Sequence, residues 1–233
     1  MKPMVLFLAL AFCAAGLTAG DIVVQKVQGE VSVRHGVTEG WNRVAAGDVL
    51  KPGDTMRTGR RGIAMILVPG SDGSGATRRI QLPAEVMVDL SDVRELSQEE
   101  LMLKLAMEKV RSTAPGEEDL STPHAAVVHG ASRSPGAPAA ENPSETGVLM
   151  LNGTRVLFAN GFYPTCALKT MEVFRFYPDL AAKFENRLLV AEALERAKLR
   201  GDALNEYGAM LALAGITPAQ ETLIRERMSA LRK

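Results

Sequence analysis

Cysteine and histidine are scarce in this 233-residue sequence: two Cys, at 13 and 166, and three His, at 35, 124 and 129. That count and spacing exclude a four-ligand zinc framework and a disulfide scaffold. Aromatic residues are only 5% of the chain, with a single tryptophan, Trp41. An excess of one charge is also missing. The 27 Lys+Arg face 27 Asp+Glu, so no broad positive field draws the chain to nucleic-acid phosphates. No apolar run approaches the roughly 20 residues that a spanning helix needs, which excludes a multi-span membrane protein. Gly-x-Ser-x-Gly, Gly-x-x-x-x-Gly-Lys-Ser/Thr and His-Glu-x-x-His motifs are absent. The reading is a non-enzyme with no metal and no cofactor.

What is present begins with a leader. Lys2 is followed by an uncharged apolar run, Met4 to Leu17, and by the small residues Thr18-Ala19-Gly20 before Asp21. That is the layout of a secretory signal peptide over residues 1–20, and it predicts a periplasmic or secreted product with no membrane span after cleavage. Cys13 leaves with the leader. Cys166 is then a lone thiol, read as an inert packed side chain, with an intermolecular disulfide as the alternative.

From 21 to about 95 the apolar residues recur at every second position, the period of half-buried strands. Val23, Val27, Val31 and Val33 share one parity, and Gly29 between them reads as a bulge or bend where a strand turns a corner. Ile63–Val68 is a continuous apolar run, and Ile80, Leu82, Val86, Val88 and Leu90 share a second parity. Gly47-Asp48, Lys51–Asp54, Gly59–Gly62 and Pro69–Gly75 supply the turns. Short strands at this spacing predict an antiparallel sandwich, roll or barrel-like domain.

These residues carry a resemblance. Val27-x-Gly29-x-Val31-x-Val33, Trp41 with Val44, Gly47-Asp48-x-Leu50-x-x-Gly53-Asp54-x-x-x-Thr58 and the strand Ala64–Val68 follow one another in an order that resembles the FecR-type domain over residues 24 to about 92. The resemblance implies an exported, non-catalytic β domain. The regulator that names the family also has a membrane span and a cytoplasmic segment, which this sequence does not show.

Ser97-Gln98-Glu99-Glu100 has the pattern of a capping box and opens a predicted helix over 96–111. Leu103, Met107 and Val110 form its apolar stripe, widened by Leu101 and Leu105, with Lys104, Glu108 and Arg111 opposite. The expected role is packing on the β domain, with partner binding as the alternative. Residues 112–147, with five prolines, read as a flexible linker that includes one short strand at 125–128. His124 and His129 lie there without a third ligand, and no metal site is read from them.

Beyond 148 the period becomes helical, with helices predicted near 149–160, 164–177, 180–200, 203–213 and 218–231. Pro178 ends the second, Gly201-Asp202 supplies the turn after the third, and Thr217-Pro218-x-Gln220 caps the last. Ala167-Leu168 and Ala203-Leu204 recur 36 residues apart, and Gly161 and Gly201 recur 40 apart, a weak internal repeat. With Ala203, Tyr207 and Tyr177-Pro178 at their positions, this part resembles tetratricopeptide repeats, which implies a surface for protein partners. The whole chain thus reads as α+β in two segregated domains. Residues 21–95 form an antiparallel β sandwich or roll, and residues 148–233 form antiparallel helix-pair repeats.

Candidate site residues are few. Asp48 and Asp54 stand beside Gly in turns and read as backbone caps rather than a catalytic acid pair. Gly70–Gly75 reads as a hairpin loop rather than a phosphate cradle, and Trp41 as a core residue rather than a stacking platform. Arg57, Arg60, Arg61, Arg78 and Arg79 bracket two turns, and hairpin pairing is expected to gather them into a ligand-binding patch. The functional reading is an exported cell-envelope binding or scaffold protein whose helical half holds a protein partner. The alternative is a β domain that binds envelope polysaccharide or peptidoglycan, an anionic glycan, through the arginines.

Overall fold

A computed structural model describes residues 21–36, 40–70, 76–113 and 143–233. The expected signal peptide, the strand at 125–128, His124 and His129 lie outside the described residues. Eight strands build two four-stranded antiparallel sheets. One sheet has the order β4 (Val49–Leu50), β1 (Ile22–Gln28), β6 (Ile63–Pro69), β7 (Thr77–Leu82); the other has β3 (Asn42–Arg43), β2 (Val31–His35), β5 (Asp54–Thr58), β8 (Met87–Asp89). We call them the first and second sheets. Seven helices among the described residues follow: α1 (Gln98–Thr113), α2 (Pro143–Ala159), α3 (Tyr163–Phe176), α4 (Pro178–Ala181), α5 (Phe184–Arg196), α6 (Arg200–Met210) and α7 (Pro218–Arg232). The architecture is α+β with its classes segregated along the chain.

Two glycine corners carry the chain between the sheets. Gly29, at φ 69°, links β1 of the first sheet to β2 of the second, and a Cβ there would lie 2.2 Å from the Arg61 carbonyl oxygen. The return corner from β5 to β6 packs directly on it. The Gly59 amide donates to the Glu30 carbonyl at 2.9 Å, and a Cβ on Gly62 would lie 2.1 Å from that same oxygen. Neither place tolerates a side chain, which is the physical reason for the bend read at Gly29.

The inward faces of both sheets share one core, with Val24, Ile66 and Ile80 from the first meeting Val31, Val33 and Met56 from the second. The parity expected for β1 changes partway along. A bulge between Val24 and Lys26 shifts the register, so Ile22 and Val24 are buried while Val23 is not, and Val27 packs on the core only after the bulge.

The helices largely continue that core, beside a smaller cluster of their own formed by Leu151, Val173 and Leu180. Leu157, Phe162, Cys166 and Ala167 belong to the same buried cluster as the sandwich. Pro143–Gly147, read from sequence as linker, forms the first turn of α2. Pro178 stops α3 as expected but opens the short α4, so the predicted helix over 180–200 divides at 182–183. The turn after α5 is Ala197–Leu199, with Lys198 at φ 62°, and Gly201 lies inside α6. Gly161, at φ 82° after α2, therefore corresponds in role to Lys198 and not to Gly201. The capping box at Thr217 forms in full: the Gln220 amide donates to Thr217 Oγ1 at 3.3 Å and the Thr217 amide donates to Gln220 Oε1 at 2.9 Å.

Helix α1 buries only the Leu101 and Leu105 part of the stripe expected. Leu101, Leu105 and Glu108 are buried, whereas Met102, Leu103, Met107 and Val110 are exposed. Glu108 is drawn inward because Arg175 of α3 donates to its carboxylate at 3.2 Å. At the start of the helix, the Glu100 amide donates to Ser97 Oγ at 3.1 Å, but the Glu100 carboxylate accepts from Arg94 and Lys104 instead of reaching back. The hydrogen bonds from Arg94, with help from Lys104, hold that carboxyl down at about 2.

Candidate functional site

The five arginines singled out in the sequence are not gathered into one patch. Arg57 lies half-buried on the outer face of the second sheet, between Ser32 and Met87 in register. Arg60 and Arg61 occupy the corner to the first sheet, and Arg60 approaches Glu85 at 3.9 Å. Arg79 faces out from the first sheet, opposite Leu67. Leu67 lies six positions along the chain from Arg61, about 20 Å of extended backbone. Arg78 serves the seam between sandwich and helices. It donates to the Asn160 carbonyl at 3.2 Å, lies 3.6 Å from Glu95, and has its guanidinium 4.9 Å from the Phe162 ring centre. The cause is topological. The β5–β6 turn joins different sheets, so only the β6–β7 hairpin pairs as expected, and Gly70 and Ala76 close it with a 2.7 Å hydrogen bond.

A different cluster forms where the second sheet meets α1 and α3. A cleft of about 480 Å³ opens there, lined by Thr55, Asp89, Asp92, Met107, Glu108 and Lys169 among others. Lys169 Nζ lies 2.7 Å from Asp89, 3.0 Å from Glu172 and 3.4 Å from Asp92. Thr55 Oγ1 donates to the other oxygen of Asp89 at 2.6 Å. Burial alone would lower the Lys169 pKa, but Asp92, Asp89 and Glu172 outweigh it and hold the amine well above the ordinary lysine value. The ammonium keeps its proton and has no lone pair for a nucleophilic or basic role. Burial raises the Asp92 carboxyl to about 6 despite Lys169, and the neighbouring carboxylates of Asp89 and Glu172 add to the rise. Among the described residues no group of His, Cys, Asp and Glu has metal-holding geometry.

Cys166 is the fourth residue of α3 and wholly buried. Burial pushes its thiol up to about 12, with Thr170 Oγ1 4.0 Å from the sulfur. An intermolecular disulfide is therefore incompatible with this fold unless α3 is displaced. Asp48 and Asp54 are turn caps, as read. Each accepts a backbone amide three residues earlier, from Ala45 and Lys51, both at 2.8 Å.

Trp41 is not in the core. It directly precedes β3 and lies half-buried on the outer face of the second sheet, where the guanidinium of Arg57 is 4.5 Å and that of Arg34 5.0 Å from its ring centre. Ser32 pairs in register with both Arg43 and Arg57, so Arg43, Ser32, Arg57 and Arg34 occupy one face. Sequence reasoning missed Arg34 and Arg43, although their alternation with Val31, Val33 and Val44 marks them as outward. It also missed Lys169, Asp89 and Asp92. Only the i,i+3 pair Lys169–Glu172 was readable, because Asp89 and Asp92 meet Lys169 through tertiary packing alone.

No helix among the described residues is long and apolar enough to cross a membrane. Comparison with protein-family models, with curated proteins and with solved structures found no match.

Proposed function

We propose that the chain is an exported, non-catalytic binding or scaffold protein of the cell envelope, whose helical half, α1 included, holds a protein partner. The FecR-type and tetratricopeptide resemblances and the leader pattern of residues 1–20 are its premises. The observation that carries it is the apolar face of α1. Met102, Leu103, Met107 and Val110 are between 45% and 67% exposed on a helix anchored from behind by Leu101 and Leu105. Covering the part of each side chain still exposed is favourable by roughly 1–2 kcal/mol, enough for a few of them together to anchor an interface. Lys169 and Cys166 are both held in protonated, non-nucleophilic form.

The test is retention from envelope extract by the chain lacking residues 1–20, compared with its Leu103→Glu and Val110→Glu variants at unchanged thermal midpoint. The reading expects a protein retained in fixed ratio by the parent and lost by both variants. An identical retained set from all three would discard it. Because the helices and sandwich share one core, the two halves are not tested as separate fragments.

A second reading is favoured by a separate observation, the outward Trp41 with Arg34 and Arg57 about its ring. In that reading the β domain binds envelope polysaccharide, with Arg57 the one residue of the expected patch that takes part.

A further inference from the structure

The turn between α5 and α6 carries unbalanced positive charge. Arg196, Lys198 and Arg200 alternate along one short stretch and are all exposed. Lys198 and Arg200 have no ion-pair partner among the described residues. Arg196 donates to the Tyr163 hydroxyl at 3.2 Å, and its guanidinium lies 5.9 Å from the Phe158 ring centre and 5.6 Å from that of Tyr163. Those contacts orient the fork and leave its charge in place. The acids that flank the stretch are matched elsewhere. Glu195 accepts from the Tyr207 hydroxyl at 2.9 Å and lies 3.6 Å from Arg227, and Asp202 lies 2.5 Å from Lys109 of α1. Arg196 and Lys198 suit the C-terminus of α5, but Arg200 is the first residue of α6, where the helix dipole opposes a cation. Local structure does not account for it.

The Lys109–Asp202 pair also fixes where this charge lies. It sets the C-terminal half of α1 beside the start of α6. Met102, seven residues before Lys109, shares that flank of α1 and adjoins the exposed Leu103 and Val110. Apolar stripe and cations therefore run side by side, while Glu99 and Glu100 lie at the other end of α1. Such a stripe, with one sign of charge along its edge, is complementary to an amphipathic helix whose own edge is acidic. We propose that the outer face of α1 and the α5–α6 turn together form a docking site for an acidic amphipathic segment of a protein partner. Its apolar residues cover Met102, Leu103 and Val110, and its carboxylates meet Lys198 and Arg200, where guanidinium and ammonium both donate. The proposal rests on the first reading above and adds the chemistry of the partner.

The chain lacking residues 1–20 is titrated into labelled peptides of about 18 residues, long enough to form a helix. One has a leucine stripe edged by glutamates, the second has lysines for the glutamates, and the third keeps the glutamates but has serines for the leucines. Anisotropy is read at two salt concentrations. Expected is saturable binding of the first peptide, weakened by salt, with the other two bound at least about tenfold more weakly. The double variant Lys198→Glu, Arg200→Glu and the single variant Leu103→Glu are each expected to lose at least about tenfold for the first peptide, and Arg60→Glu, Arg61→Glu to keep it. Unfolding midpoints of all variants are compared with the parent. Loss with Leu103→Glu alone, or equal binding of the acidic and basic peptides, would overturn the acidic partner and leave α1 standing as a protein-binding face. Equal binding of the serine peptide would reduce the site to counterion attraction at the turn and overturn the joint face. No saturable binding of the first peptide up to about 1 mM would overturn the proposal, and retention from extract would then decide the first reading by itself. Sedimentation with vesicles of equal parts phosphatidylglycerol and phosphatidylcholine, abolished by the same variants, would make the face a membrane contact and overturn the assignment.

Discussion

The Cα of Gly153 on α2 faces the carbonyl oxygen of Met87 on β8 so closely that a Cβ there would lie 2.0 Å from it. Beside this contact, Asn152 Nδ2 donates to the Glu85 carbonyl at 2.8 Å. The first helix pair is thus seated backbone to backbone on the edge of the second sheet, and the sandwich and helices have a fixed relation instead of hanging on a tether. Gly153→Ala should therefore behave unlike most helix glycine replacements. Alanine gains about 1 kcal/mol in helix propensity, but the overpacking costs about 2–3 kcal/mol because the obstacle is backbone. The expected net loss is about 1–2 kcal/mol in urea unfolding. A stabilised variant would mean that α2 does not rest on β8.

Lys169 holds together three carboxylates from two parts of the fold: Asp89, Asp92 and, on its own helix, Glu172. Removing the cation leaves like charges close together and partly buried. Lys169→Met should cost about 3–5 kcal/mol, the range for breaking a buried ion pair from one side. Loss of less than 1 kcal/mol would show that solvent already screens the cluster.

Asp92 gives this cluster a pH signature. Its carboxyl rises from 3.8 to about 6 on folding, chiefly by burial. The folded state therefore holds a proton that the unfolded chain releases, and stability from this group falls as pH climbs from about 4 to 6, then stays at the lower level. Asp92→Asn mimics the protonated form. It should match the parent near pH 4 and exceed it above pH 6, by on the order of 1 kcal/mol. Thermal midpoints of both proteins at pH 4, 5, 6 and 7.5 supply the check. A variant less stable at pH 7.5 would mean that attraction to Lys169 outweighs burial and the two neighbouring carboxylates.

Cys166 should resist thiol reagents. Its side chain is fully buried and its pKa is pushed to about 12, so at pH 8 almost no thiolate exists and none is reachable. Labelling by a chromogenic disulfide should be negligible in native protein and stoichiometric in denaturant. Rapid native labelling would indicate that α3 opens readily.

Much of the fold was legible because it follows local rules. Alternation along Val31 and Val33, the corner at Gly29, the turn caps Asp48 and Asp54 and the box at Thr217 each depend on residues within a few positions. What was not legible depends on partners distant in sequence. The α1 stripe held only at Leu101 and Leu105, because the helix is turned to bury Glu108 against Arg175, a residue 67 positions away. The bulge between Val24 and Lys26 leaves no compositional mark. The arginine patch failed for a related reason, since a turn signal at Gly59–Gly62 does not say whether the flanking strands pair or part. Trp41 was given to the core on hydrophobicity, yet its place beside Arg34 and Arg57 is set by strand register.

Lys198 offers a last test, one in which a gain is expected. It is the middle residue of the turn between α5 and α6, at φ 62°, a conformation that crowds the Cβ of any L residue. The same role after α2 falls to Gly161 at φ 82°, which suffers no such crowding. Left-handed backbone costs a non-glycine residue roughly 1–2 kcal/mol, whereas glycine adds about 0.5–1 kcal/mol through the freedom of its unfolded chain. Lys198→Gly should then stabilise by about 0.5–1 kcal/mol and raise the thermal midpoint by about 1–4 °C for a chain of this size. Lys198→Ala should show no such gain, because it retains the Cβ. Equal gains from both variants would trace the effect to the lysine charge beside Arg196 and Arg200, and the turn strain inferred from φ would be refuted.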